Sequence, residues 1–115
     1  MKILVIVTES PWGSSLGVTA LRLVRALVGE GEQLCAIYFR EEGVYHAQQG
    51  RANDAGTPDL FEAWKELSEN EGIPLMLCSS AAQRRLGRAP GGRFEEAGLA
   101  QMMGLLQDCD RVVTF

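Results

Sequence analysis

The run Ile3-Leu4-Val5-Ile6-Val7 constrains this chain more than any other feature. It is β-branched, has no polar alternation and is too short for a helix, so it reads as a strand covered on both faces, as strands in parallel sheets are. Gln33–Phe39 and Ile73–Cys78 repeat the pattern, Arg111–Phe115 ends it, and helical patterns separate the runs. Alternation of this kind predicts a three-layer α/β/α sandwich around a mainly parallel sheet, with one domain spanning residues 1–115. The strand order is not legible, but in such a sheet a site belongs at the carboxyl rim of the strands.

The stretch Ile73–Gly87 places a thiol at that rim. Pro74 suits a strand start because it lacks a donor, and the Ala/Gln/Arg/Leu run closed by Gly87 reads as a helix. Cys78 falls on the joint between strand and helix, where the first free amides of a helix present the positive end of its dipole and stabilise a thiolate. Ser79 or Ser80 can cap that helix, and the remaining amides, Ala81 among them, can accept an anionic sulfur. The bland alternative is a small apolar residue ending a core strand. Arg84 and Arg85 lie near the end of the short helix, where cations suit the negative end of the dipole.

The other thiols are weaker nucleophile candidates. Cys35 sits within an apolar strand and reads as filler, while Cys109 lies between Asp108 and Asp110, which disfavour a thiolate. Three cysteines without close spacing and one histidine supply neither a disulfide framework nor a zinc site. The expected compartment is therefore reducing and cytoplasmic. Residues 1–7 end in Thr8-Glu9-Ser10, well short of a signal-peptide core or membrane span. A net charge of −4 argues against direct contact with nucleic acid.

The remaining chain supplies packing and loops. Leu16, Ala20, Leu23, Val24 and Leu27 form a helix stripe ended by Gly29 or Gly31. Before it, Thr8–Ser15 is a polar loop beside the expected mouth of the Cys78 site, with Ser10 in it and Trp12 either covering that pocket or packing at a subunit contact. Val44–Pro58 reads as a long connection, in which Tyr45 anchors the loop and His46 either approaches the thiol as a base or positive neighbour, or is solvated or at an interface. Asp59-Leu60-Phe61-Glu62 has capping-box spacing and opens a packing helix closed by Gly72. Arg88–Arg93 reads as a turn, and Phe94–Leu106 as a last helix through Phe94, Ala97, Met102, Leu105 and Leu106, with Met102 and Met103 as gap-fillers or an interface patch.

Three segments together resemble the DsrE/TusD family of sulfur-carrier subunits across nearly the whole chain. They are Leu77-Cys78-Ser79-Ser80-Ala81-Ala82-Gln83-Arg84-Arg85, Phe39-Arg40-Glu41-Glu42-Gly43-Val44-Tyr45 and Cys109-Asp110-Arg111-Val112-Val113-Thr114-Phe115. The chain departs from the family pattern where Leu86 intervenes before Gly87 and in the short link to the last helix. The resemblance implies a persulfide on Cys78, received from a sulfur-donor protein and passed to an acceptor, in tRNA 2-thiouridine synthesis or sulfur oxidation. It also implies homo- or hetero-oligomers of related small subunits, and a docking or electrostatic role for the arginine pair. Such chemistry needs no metal and no organic cofactor. Two rival readings remain: a non-catalytic scaffold subunit in which Cys78 only packs, and a flavin or nucleotide module built on the Thr8–Ser15 loop, which lacks the spacing of a phosphate-binding fingerprint.

Overall fold

The computed structural model describes residues 1–48, 59–87 and 92–115. Five strands form one sheet: β1 (Lys2–Val7), β2 (Gln33–Phe39), β3 (Leu75–Cys78), β4 (Phe94–Ala97) and β5 (Arg111–Thr114), in the order β4-β3-β2-β1-β5. Every neighbouring pair is parallel, so all five carboxyl ends lie along one edge. The helices are α1 (Leu16–Gly29), α2 (Leu60–Glu71), α3 (Ser79–Arg85) and α4 (Leu99–Asp108), with a 3-10 helix at Glu41–Ala47.

Strand alternation divides the core into two layers. Val5, Val7, Ile37, Phe39, Leu75 and Leu77 pack with α1, α2 and the 3-10 helix, around Val24, Val44 and the fully buried Trp64. Leu4, Ile6, Ala36 and Tyr38 face the other way and meet Met102 of α4. The α4 layer is the thinner one. Beside it Leu99, Met103 and Leu106 are exposed, and so is Val112 of the edge strand β5.

Local signals place the helix ends. The Asp59 carboxylate accepts from the Glu62 amide at 3.3 Å, and Gly72 takes the left-handed conformation (φ 68°) that closes α2. Gly43 is required for a different reason: a Cβ there would run into the Val7 carbonyl, so only glycine lets the 3-10 helix lie against the end of β1.

Two expectations change. Phe94–Ala97 is strand β4 rather than the start of a helix, and the last helix begins only at Leu99. The three-residue interval that suggested one helix face puts Phe94 and Ala97 on opposite faces of a strand, where each is buried in a different core layer. In addition, Val44–Ala47, read as open connection, belongs to the 3-10 helix. The rest of that connection (49–58) and most of the expected Arg88–Arg93 turn (88–91) lie outside the described residues.

Candidate functional site

Cys78 ends β3 and serves as the N-cap residue of α3, the position predicted from the strand-helix joint. It is half-buried at the mouth of a cavity of about 370 Å³ that also meets Tyr38, Arg40, Glu41, Ser79, Ser80 and Arg84. The cavity lies on the α4 side of the sheet, because Cys78 shares a face with Met76 and Tyr38. Leu99, Met102, Met103 and Leu106 of α4 complete its wall.

The donors around the sulfur set its charge. Burial is the largest single influence and pushes the thiol up. Against it stand four hydrogen-bond donors: the Ser80 hydroxyl, the Ala81 amide, the Tyr38 hydroxyl and the Ser80 amide. Together they hold the Cys78 pKa below that of an ordinary thiol. The Ser80 Oγ lies 3.5 Å from Cys78 Sγ. Neither serine caps α3 through its side chain, contrary to expectation, because Cys78 itself occupies the N-cap and the Ser80 hydroxyl is turned to the sulfur.

Tyr38 is the site residue that the sequence analysis missed. It pairs in register with Met76, so it is the diagonal neighbour of Cys78 on the same face of adjacent strands. Burial, then the nearby Cys78 sulfur and the hydrogen bond to it, push the phenol up to about 12 despite Arg40. The hydroxyl therefore keeps its proton and donates it to the sulfur. The available signal was a buried hydroxyl in an apolar strand, which needs a partner, but the partner depends on a register the sequence does not reveal.

Charged groups ring the cavity. The Arg84 Nε–H donates to the Ser80 carbonyl at 3.3 Å, which draws the guanidinium back along α3 to the cavity wall. Glu41 approaches Arg40 at 3.9 Å and Arg85 at 4.0 Å, and holds a positive φ of 52°. A non-glycine residue in that conformation costs about 1–2 kcal/mol. The strain therefore sits at the lip of the Cys78 cavity.

Of the pocket or loop candidates Ser10, Trp12, Tyr45 and His46, none lines the Cys78 cavity, and Tyr45 packs in the loop region as an anchor, against Trp12. The Ser10 hydroxyl donates to the Trp12 carbonyl at 2.6 Å, and the Trp12 and Tyr45 rings lie 5.7 Å apart. His46 is buried in the layer opposite the Cys78 cavity, against Phe39 and Trp64. The Trp64 indole N–H donates to its Nδ1 at 3.1 Å, so its Nε2 carries the proton and donates to the Glu9 carbonyl, also at 3.1 Å. Burial lowers its pKa to about 4, against a weaker raising effect of the Glu9 carbonyl. A neutral, fully engaged imidazole ties the loop after β1 to α2. It corrects the reading of His46 as a base, a cation or a solvated residue.

The site is thus a cysteine at a strand-helix joint on the carboxyl edge of a parallel sheet, with hydrogen-bond donors aimed at its sulfur. Residues 1–115 match the DsrE/DsrF-like family, and the chain belongs to it. It is 34% identical over 128 aligned positions to the sulfurtransferase TusD of Cronobacter sakazakii, with each chain covered in full. Its fold is similar to that of the ychN protein from E. coli, with a TM-score of 0.84, 22% identity and full coverage of both chains. Among the described residues, no helix is long and apolar enough to cross a membrane.

Proposed function

We propose that this chain is a persulfide-carrying sulfurtransferase subunit. The Cys78 thiolate attacks the outer sulfur of a donor persulfide, R–S–SH, and expels RS⁻ to leave Cys78–S–SH. An acceptor thiolate then attacks that outer sulfur and becomes the new persulfide, returning Cys78–S⁻. Both steps pass through an anionic sulfur. The Ser80, Ala81 and Tyr38 donors serve each of them, and Arg40 and Arg84 add positive charge at the wall.

The observation that carries the reading is the half-buried Cys78 sulfur, open to a cavity and met by donors from the neighbouring strand β2 and the start of α3. The donor and acceptor are proteins, one of them docking on the apolar rim of Leu99, Met103 and Leu106. Related small subunits are the natural partners in a relay serving tRNA 2-thiouridine synthesis or sulfur oxidation. The net charge of −4 leaves tRNA as an indirect client.

Mass spectrometry after incubation with a persulfide donor tests the reading. One added sulfur on the Cys78 peptide, labile to dithiothreitol and lost in Cys78→Ser, is the expected result. An unmodified Cys78 beside an intact fold supports the scaffold alternative and contradicts the carrier.

A further inference from the structure

The cavity at Cys78 combines an apolar wall from α4 with three charged residues, Arg40 just after β2, Glu41 beside it and Arg84 of α3. Its charge balance is the reverse of the whole chain's, because two arginines meet one carboxylate in a protein of net charge −4. Glu41 does not neutralise them. It stands 3.9 Å from Arg40 and 4.0 Å from Arg85, at the outer limit of an ion pair. Among the described residues no carboxylate pairs with Arg84. The Arg84 Nε–H is taken by the Ser80 carbonyl at 3.3 Å, which leaves its Nη groups for a ligand.

We propose that this cavity also takes a second class of sulfur donor directly, a low-molecular-weight persulfide bearing a carboxylate, which Arg40 and Arg84 hold while its outer sulfur meets Cys78. The route stands beside the protein donor and rests on the carrier reading given above. The Cys78 thiolate attacks the outer sulfur of R–S–SH, and a new S–S bond forms as the old one breaks. The proton stays on the transferred sulfur, and RS⁻ leaves with the electron pair of the broken bond and takes a proton from solvent, so no oxidant or reductant is consumed.

Size and chemistry both favour such a ligand. The volume of about 370 Å³ falls within the range of small-molecule pockets, roughly 300–1,000 Å³, which pair apolar walls with a few placed polar groups. A guanidinium presents a planar fork that matches a carboxylate, and Arg84 has its fork to spare. Arg40 acts on the same space, since its charge opposes the upward push on the Tyr38 phenol beside the sulfur. Both arginines are exposed, so the preference for an anion is a few-fold and fades with salt. Glu41 sets its limit, because its carboxylate competes for Arg40 and repels an incoming anion.

The test reads charge selectivity at the Cys78 peptide of the full chain as a ratio of rates, iodoacetate over iodoacetamide, in which the thiolate fraction cancels. The ratio should exceed that of free N-acetylcysteine by about threefold at low ionic strength and fall toward it in about 0.5 M salt. Arg40→Gln and Arg84→Gln should each lower the ratio and Glu41→Gln should raise it, while Arg22→Gln, on α1 in the opposite layer, should leave it unchanged. The persulfide of N-acetylcysteine should load Cys78 about threefold faster than that of its uncharged methyl ester, each measured relative to transfer to a free thiol. Equal loading from the two persulfides, or a ratio no higher than the free thiol's, would overturn this inference and leave sulfur carriage standing. A raised ratio with no sulfur gained from either persulfide would overturn the carrier reading and this donor with it.

Discussion

The Tyr38 hydroxyl meets the Cys78 sulfur across the step from β2 to β3, as a diagonal pair on one face of the sheet. One member of this pair is recognisable from the sequence as a reactive group and the other is not. The hydroxyl stands where neither the α3 amides nor the Ser80 side chain comes from, so it restrains the sulfur from a third direction. Tyr38→Phe removes that donor while keeping the ring in the α4 layer. The alkylation rate of Cys78 at neutral pH should fall roughly threefold to tenfold and recover at high pH, as expected for one lost hydrogen bond to a charged acceptor at a partly exposed site. An unchanged pH profile would show that the phenol only packs.

Met103 is exposed on α4 and lines the Cys78 cavity, whereas its neighbour Met102 is buried as a core filler. Met103→Glu should therefore leave the fold and the loading of Cys78 by a small persulfide donor unchanged. Transfer from Cys78 to a protein acceptor should slow by about tenfold or more, because a carboxylate would be desolvated in the docked rim. Equal loss in both assays would place Met103 in the sulfur site itself.

His46 makes stability depend on pH in a defined window. Its folded pKa is about 4 against an unfolded value of 6.5, so the unfolded chain binds the extra proton first as pH falls. The stabilisation is present in full above pH 6.5 and declines by roughly 1.4 kcal/mol per pH unit between 6.5 and 4. His46→Gln, which retains a donor and an acceptor, should flatten the pH dependence of Tm across that interval. Because His46 is the single histidine, its imidazole resonance is unambiguous and should not shift between pH 8 and 5.5 in the folded protein.

Gly43 and Gly29 make a matched pair of substitutions. A Cβ at Gly43 collides with the Val7 backbone, which cannot move without disturbing β1, so Gly43→Ala should cost about 2 kcal/mol or more and lower Tm by roughly 8 °C or more. At Gly29, in the last turn of α1, nothing lies within 4 Å of an added Cβ. There alanine should be neutral or raise stability by up to about 1 kcal/mol. Thermal melts of the two variants measure the contrast.

What was legible in the sequence follows from how local each signal is. The runs at Ile3–Val7 and Gln33–Phe39, the Asp59 cap, the Gly72 stop and the strand-Cys78-helix joint are written in neighbouring residues, and each appears in the structure. The parallel layered architecture follows from them. β4 was obscured because Phe94 and Ala97 serve two core layers at a spacing that also fits one helix face. Tyr38 beside Cys78 depends on strand order and register, which sequence distance does not encode. His46 was misread for the same reason, since its partners Glu9 and Trp64 come from distant segments.

The pH dependence of alkylation, resolved peptide by peptide for the three cysteines, tests the central claim most directly. The hydrogen bonds to Cys78 predict that it reacts first at neutral pH, with a midpoint below that of a free thiol, while Cys109 reacts appreciably only in strong base. A Cys78 midpoint at or above that of a free thiol would contradict the account.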